Sequence, residues 1–313
     1  MEKNEQIFIV RPDAEGTRLD QWLAAQMASS EEAPSRMQIQ RWIKAGLVEG
    51  QGTLNPARRI EAGESFTVKP AISEKATDLE PIDLNLKILY QDDELAVIHK
   101  PAGIAVHPGP GDGGITLASG LIHAFSELKQ GEWEGRPGIV HRLDKPTEGV
   151  LLVAKNVKAH RLLSGQFLRR EVKKTYAAWL LACPPAEEGE INAAIKRHPK
   201  DRLRMRIDPT GRHAITRYKV TRTRVSRRGR KFALVEVDLL TGRTHQIRVH
   251  MAHIGCPIVG DEIYSRSSAE FKKFGLLLFA QTLEFKHPTN GSTMRFSLDL
   301  PERFDRFENS LEG

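Results

Sequence analysis

The chain has 313 residues, 40% hydrophobic and 28% charged, enough apolar mass for one large and one small domain and too much to stay disordered. Its two cysteines, Cys183 and Cys256, lie far apart outside any C-x-x-C pairing, which excludes a disulfide framework or zinc ribbon. The net charge of +7 favours a polyanionic partner, and with no apolar run of ~18 residues and no apolar stretch behind the charged amino terminus, a cytoplasmic protein without membrane contact is expected.

Residues 7–10 read as a short strand closed by Pro12. Leu19, Trp22, Leu23 and Met27 then fall on one helical face, and a loop follows at 29–34. Ser35-Arg36-Met37-Gln38 reads as a capping box opening a second helix, with Ile39, Trp42 and Ile43 inward, Arg41 and Lys44 on a neighbouring face, and Gly46 as the stop. Short strands are expected over 47–68. Arg18-Leu19-Asp20, Ser35-Arg36 through Gly46-Leu47-Val48, and Gly63-Glu64 ahead of Phe66 resemble an S4 RNA-binding domain. In place of the usual Asn-Gly after the second helix stands Glu49-Gly50-Gln51-Gly52. The resemblance implies that Arg36, Arg41 and Lys44 face RNA phosphates and anchor the substrate rather than read its bases.

Residues 71–83 form a linker by composition. The second domain opens with Ile88-Leu89-Tyr90 and Leu95-Ala96-Val97-Ile98, which read as paired strands, followed by Lys100-Pro101-Ala102-Gly103. The glycines of 109–114 lack the G-x-x-x-x-G-K-[ST] order, so a flexible loop is preferred to a P-loop. In the stretch 139–155, a polar run is pressed between two apolar ones. Residues 150–154 read as a buried strand, Pro146 and Gly149 mark a bend, and Asp144 is held on the loop between. Asn156 is placed to cap a helix whose buried face carries Ala159, Leu162, Leu163 and Phe167. Residues 174–180 read as a strand. Residues 202–207 alternate Arg with Leu, Met and Ile, as a strand with one basic face would. Eight basic residues between Arg217 and Lys231 add to an expected RNA-facing surface. Residues 234–239 alternate as a half-buried strand, and a helix is expected from near Gly242. His245, His250 and His253 lack the spacing of a helical zinc site, so no metal is expected. Residues 302–313 read as a polar tail.

His141-Arg142-Leu143-Asp144 followed by Gly149-Val150-Leu151-Leu152-Val153-Ala154-Lys155 resembles the catalytic motif of the RluA family of RNA pseudouridine synthases. Pro146 and Glu148 depart from the commoner Asp and Ser. The resemblance extends to Lys174-Thr175-Tyr176 and to the segment 241–250. It implies that Asp144 is the nucleophile, that Arg248 pairs with it, and that Tyr176 packs on the target base and takes the C5 proton. Arg142 would fill the gap left by an extruded uridine, and His141, Arg243 and His245 would join the RNA-binding set. An ionised carboxylate in a dry cleft needs such a cation, because burial alone favours its neutral form.

The expectation is an α+β fold: a pseudouridine-synthase-like catalytic domain over 84–301 with a mixed, mostly antiparallel sheet, and a small α/β S4 (αL-type) domain over 1–70. The expected activity is isomerisation of uridines in large-subunit ribosomal RNA by a monomer without cofactor. A transfer-RNA enzyme of the same family and a non-catalytic RNA-binding or ribosome-assembly factor are the alternatives.

Overall fold

A computed structural model describes residues 5–27, 34, 36–69, 79–107, 115–129, 133, 136–265 and 268–312. The Ser35 position of the expected capping box, most of the linker and the glycine loop 109–114 lie outside these. The chain divides into two compact units, Met1–Lys75 and Ala76–Gly313.

In the first unit, β1 (Gln6–Ile9), α1 (Leu19–Gln26), α2 (Arg36–Lys44), β2 (Val48–Glu49) and β3 (Ser65–Val68) form a three-stranded antiparallel sheet in the order β1-β3-β2 with two helices. Leu19, Trp22 and Leu23 of α1 and Ile39, Trp42 and Ile43 of α2 are buried, as their helical spacing demands, around Phe66 and Val68.

The second unit runs β4 (Lys87–Gln91), β5 (Leu95–Lys100), α3 (Leu117–Ala124), β6 (Glu148–Ala154), α4 (Val157–Arg169), β7 (Lys173–Leu180), β8 (Glu188–Asn192), β9 (Ile195–Arg197) and β10 (Met205–Ile207). It continues with β11 (Ile215–Val225), β12 (Lys231–Leu239), α5 (Gln246–His253), α6 (Ser268–Phe271), β13 (Leu278–Lys286), β14 (Thr293–Ser297) and α7 (Glu302–Glu312). The central sheet has the order β4-β5-β6-β13-β7-β12-β11-β8, with β14 also on β13. Only β6 and β13 pair in parallel, so the sheet is mixed and mostly antiparallel. That parallel pair is close. Gly149 has φ +135°, and a Cβ there would meet the Ala280 carbonyl oxygen at 2.2 Å, so only glycine fits where the Asp144 loop enters β6.

Alternation along β7 sorts the two faces of the sheet. Tyr176, Ala178 and Leu180 join Leu117 and Leu121 of α3 and Ile247 and Met251 of α5, whereas Ala177, Trp179 and Leu181 join the aromatic cluster beneath α7. Asn156 caps α4 as expected, its Oδ1 accepting from the Ala159 N–H at 2.8 Å.

Three expectations are corrected. Residues 302–312 are a helix, not a polar tail: Phe304, Phe307 and Leu311 recur at i, i+3, i+7 and are buried. Phe307 lies 5.4–5.8 Å from the rings of Trp179, Phe232, Phe271 and Phe274. The alternating segment 202–207 is strand only from Met205, because the Asp201 side chain accepts from the Leu203 N–H and its carbonyl from the Arg204 N–H, making a turn. The basic run 217–231 is largely ion-paired. Arg217 meets Glu190, Lys219 meets Glu188, Arg230 meets Glu270, and both Arg222 and Arg224 reach Glu308 of α7. Phe307→Ala should therefore destabilise the protein by about 3–5 kcal/mol, read as a shift in the urea unfolding curve; a cost below ~1 kcal/mol would mean that α7 is not part of the core.

Candidate active site

Asp144 sits on the loop between the isolated bridge at Ile139 and β6, held from behind by a buried lysine. Lys100, with no exposed surface, donates to the carbonyls of Thr147 at 2.8 Å, Pro101 at 2.9 Å and, more loosely, Lys145 at 3.4 Å. The Thr147 N–H returns to the Asp144 carbonyl at 3.0 Å, and Gly103 donates to Lys145. Burial lowers the Lys100 ammonium to about 8, less than it would without the opposing charges of Asp144 and Glu148. The loop is thus organised around a cation that remains charged at neutral pH.

Facing Asp144 is Arg248, 104 residues away in sequence, buried on α5. Its Nη1 lies 3.5 Å from Asp144 Oδ2. Its stronger partner is Asp261, which accepts from Nε at 2.8 Å and Nη2 at 2.9 Å, a bidentate pair. Asp261 also accepts the backbone N–H groups of Ile263 and Tyr264, and the Tyr264 ring lies 5.2 Å from the Arg248 guanidinium carbon. One guanidinium is therefore shared by two carboxylates, one fixed and one facing the cavity. Gly260 permits this, with φ +74° and a would-be Cβ 1.8 Å from the Gly275 carbonyl oxygen.

The helix carrying Arg248 begins at Gln246, later than expected, because His245 takes a left-handed conformation at φ 56° and Gln246 closes the turn. Gln246 Oε1 accepts from the Thr241 hydroxyl and the Arg243 N–H, while its Nε2 donates to Ile215 O and Thr216 Oγ1. The Tyr264 hydroxyl accepts from the Met205 N–H and shares a hydrogen bond with His245 Nδ1, both at 2.8 Å. Burial, and next the charge of Asp144 opposing it, leaves His245 below its ordinary value. His250 uses both nitrogens within the protein, toward Thr216 and Ala193 O.

Asp144, Arg248, Tyr176, Arg142, His141, Arg243 and His245 all line one cavity of about 440 Å³. Burial, reinforced by the charge of Asp144, raises the Tyr176 phenol above its ordinary value and keeps it protonated. Arg142 is exposed at the cavity, and Arg243 donates Nε to His213 O. His141 is there as part of the scaffold: its Nε2 accepts from the Leu152 N–H at 2.9 Å and its ring stacks on Phe167 at 4.7 Å. Burial first, then the Lys174 charge, lowers it to about 3, so it is no cation for RNA.

Sequence reasoning missed Asp261 and Tyr264. The signal available was electrostatic: a buried arginine facing a reactive carboxylate needs a second anion to stay put, and Gly260-Asp261 was on offer.

In the first unit, Arg36 is exposed and ion-paired. Its Nε donates to buried Asp20 at 3.0 Å, alongside Arg18 and Gln40. Arg41 and Lys44 are exposed.

Residues 94–253 match the family described as RNA pseudouridylate synthase. The chain is 38% identical to the ribosomal large subunit pseudouridine synthase D of Xanthomonas campestris, over 97% of this chain and 91% of that protein. To the protein of the same name from Escherichia coli K12 it is 36% identical, over 92% and 88%. The chain belongs to the RNA pseudouridylate synthase family. It is an RNA pseudouridine synthase of the RluA type, an isomerase. A solved structure, human RNA pseudouridylate synthase domain containing 1, is similar over 74% of the synthase and 97% of that chain, with TM-score 0.57 and 26% identity. No helix among the described residues of the synthase is long and apolar enough to cross a membrane.

Two outcomes follow for the synthase. Asp261→Asn should loosen Arg248 and lower the rate of pseudouridine formation about 10²-fold, the scale of a ~1 Å misplacement, with RNA affinity unchanged; a wild-type rate would show that Asp261 does not position Arg248. Burial pushes Asp20 up, but hydrogen bonds from Arg18, Gln40 and Arg36 overcome this and bring it to about 2, below the ordinary 3.8. Its stabilising contribution is therefore present above pH ~4 and lost as pH falls toward ~2. Asp20→Asn should flatten the acid limb of unfolding in that window, monitored by tryptophan fluorescence from Trp22 and Trp42; an unchanged limb would remove Asp20 as its source.

Proposed function

We propose that this synthase isomerises uridines of large-subunit ribosomal RNA, with Asp144 as nucleophile acting on a base flipped into the cavity. The observation that carries the reading is the placement of Asp144 as the one carboxylate, among the described residues, lining a basic cavity, beside Arg248 and the ring of Tyr176. The relatives named for the ribosomal large subunit, similar over nearly their full length, support the substrate class.

Isomerisation breaks the N1–C1′ bond, turns the uracil and closes a C5–C1′ bond, after which the C5 proton leaves and N1 gains one. Atoms and electrons balance without oxidant, water or cofactor. Asp144 can add covalently and leave again, and the Arg248 guanidinium stabilises its anionic form in both free states. Tyr176 offers a ring face to the base, with stacking worth ~1–3 kcal/mol. Because its phenol is held protonated, uptake of the C5 proton requires that the phenolic proton be handed on at the same moment. Arg142, exposed at the cavity, is placed to occupy the stack that the flipped base vacates. The first unit serves as an S4-type anchor through Arg41 and Lys44, while Arg36 holds Asp20.

Asp144→Asn is expected to keep the fold and RNA affinity and to abolish tritium release from C5-labelled uridine in RNA. Full release in that variant would remove Asp144 from the mechanism. Loss of pseudouridines from large-subunit RNA in cells lacking the protein tests the substrate; loss only in transfer RNA would overturn it.

A further inference from the structure

The cations around the cavity are treated differently from those elsewhere in the synthase. In the basic run, Arg217 of β11 pairs with Glu190 of β8, Arg222 and Arg224 share Glu308 of α7, and Arg230, just ahead of β12, pairs with Glu270 of α6. Arg170, Lys174 and Arg212, by contrast, line the cavity with no hydrogen-bond acceptor and no carboxylate partner among the described residues. They arrive from separate elements: Arg170 as the left-handed C-cap of α4, Lys174 from β7, Arg212 from the turn ahead of β11. Arg243, from the loop before α5, has one nitrogen on His213 O and completes the group.

These charges feel one another. Burial and then Arg243 lower Lys174 to about 8; burial, then Arg212 and Arg170, lower Arg243 from its ordinary value. The Lys174 ammonium lies 5.8 Å from the Phe167 ring, would stand 3.7 Å from a Cβ on Gly242, and lines the cavity. The one carboxylate lining the cavity among the described residues, Asp144, is answered by Arg248. These four cations, Lys174 and Arg243 half-buried, therefore gather with no carboxylate of their own, an arrangement that favours a bound anion.

We infer that Arg170, Lys174, Arg212 and Arg243 form a phosphodiester clamp that holds the backbone on either side of the nucleotide whose base enters the cavity. The inference rests on the proposed reading that RNA occupies this cavity. The shared chemistry is phosphate, and RNA is the source that the proposed reading of this cavity favours. Each clamp residue neutralises backbone charge and carries no base information, so it acts on affinity for RNA and little on the bond-making step.

The test measures RNA affinity as a function of salt, together with single-turnover pseudouridine formation at saturating RNA, in full-length protein. Lys174→Met, Arg170→Gln and Arg212→Gln should each reduce the slope of log affinity against log salt by about 1, weaken binding by on the order of tenfold, and leave the saturating rate within about threefold. Arg217→Gln, which breaks only an ion pair with Glu190, should leave both unchanged. Lys174→Met should unfold at an equal or higher temperature than wild type, since it removes an unpaired charge; a lysine with a purely structural role would lower it. Wild-type salt slopes in all three variants overturn the clamp. So does a result in which inorganic phosphate, at matched ionic strength, stabilises the wild type against heat as RNA does while the variants still bind RNA normally, because the cluster is then a free-phosphate site. If the wild type forms no pseudouridine but the slopes change, the isomerase roles proposed for the site fail and the clamp stands.

Discussion

The guanidinium of Arg248 is the point on which the site turns. It is buried, and a buried cation with a single mobile carboxylate partner would be a costly and poorly fixed one. Asp261 removes that difficulty by taking two of its nitrogens in a bidentate pair, which leaves Nη1 aimed at Asp144 at 3.5 Å. The reactive carboxylate is then next to a positive charge whose position does not depend on it. In the proposed mechanism that independence matters, because Asp144 would lose its charge during a covalent step and recover it afterwards while the cation stays in place.

The fold around this pair can be read as the means of holding two loops still. One loop, carrying Asp144, is tied to the buried Lys100 through the carbonyls of Lys145 and Thr147 and enters β6 at Gly149, where the parallel pairing with β13 leaves no room for a side chain. The other, leading into α5, is tied by Gln246 and by the His245–Tyr264–Met205 chain of hydrogen bonds. One loop runs into β6 and the other from β12 into α5, so their relative position is set by core packing rather than by flexible contacts. Glu148, where the family more often has serine, is also structural: it accepts from His99 and Arg303 and so links the start of β6 to α7.

Much of this was legible in the sequence, and the limits have physical causes. The run 150–154 announced a buried strand, Asn156 announced a cap, and the motif around Asp144 announced the chemistry, since each is a local pattern. Whether Arg248 meets Asp144 could not be read from the residues, because nothing local reports a contact spanning 104 positions; it came from resemblance alone. Asp261 was hidden for the same reason. Residues 302–312 were misjudged because their charged residues dominate the composition, although the apolar stripe of Phe304, Phe307 and Leu311 was present at helical spacing. His141 illustrates a different limit. A polar residue inside a functional motif can serve the scaffold, as His141 does by accepting from Leu152, while Arg36 pairs with Asp20 from an exposed position.

The charge pattern carries the same lesson further. A net charge of +7 indicates a polyanionic partner but gives no location for it. The richest basic run, 217–231, looked like the place to find one, yet most of its cations are answered by Glu188, Glu190, Glu270 and Glu308. Exposed pairs of that kind contribute little to stability, but they do remove the field that an RNA backbone would follow. Among the described residues lining the cavity only Asp144 is acidic, and Arg248 answers it, so positive charge is left over there. Binding surface is therefore identified by where positive charge is left unanswered rather than by where arginines are most numerous. By that criterion the proposed clamp would draw the backbone to the cavity that Asp144 lines.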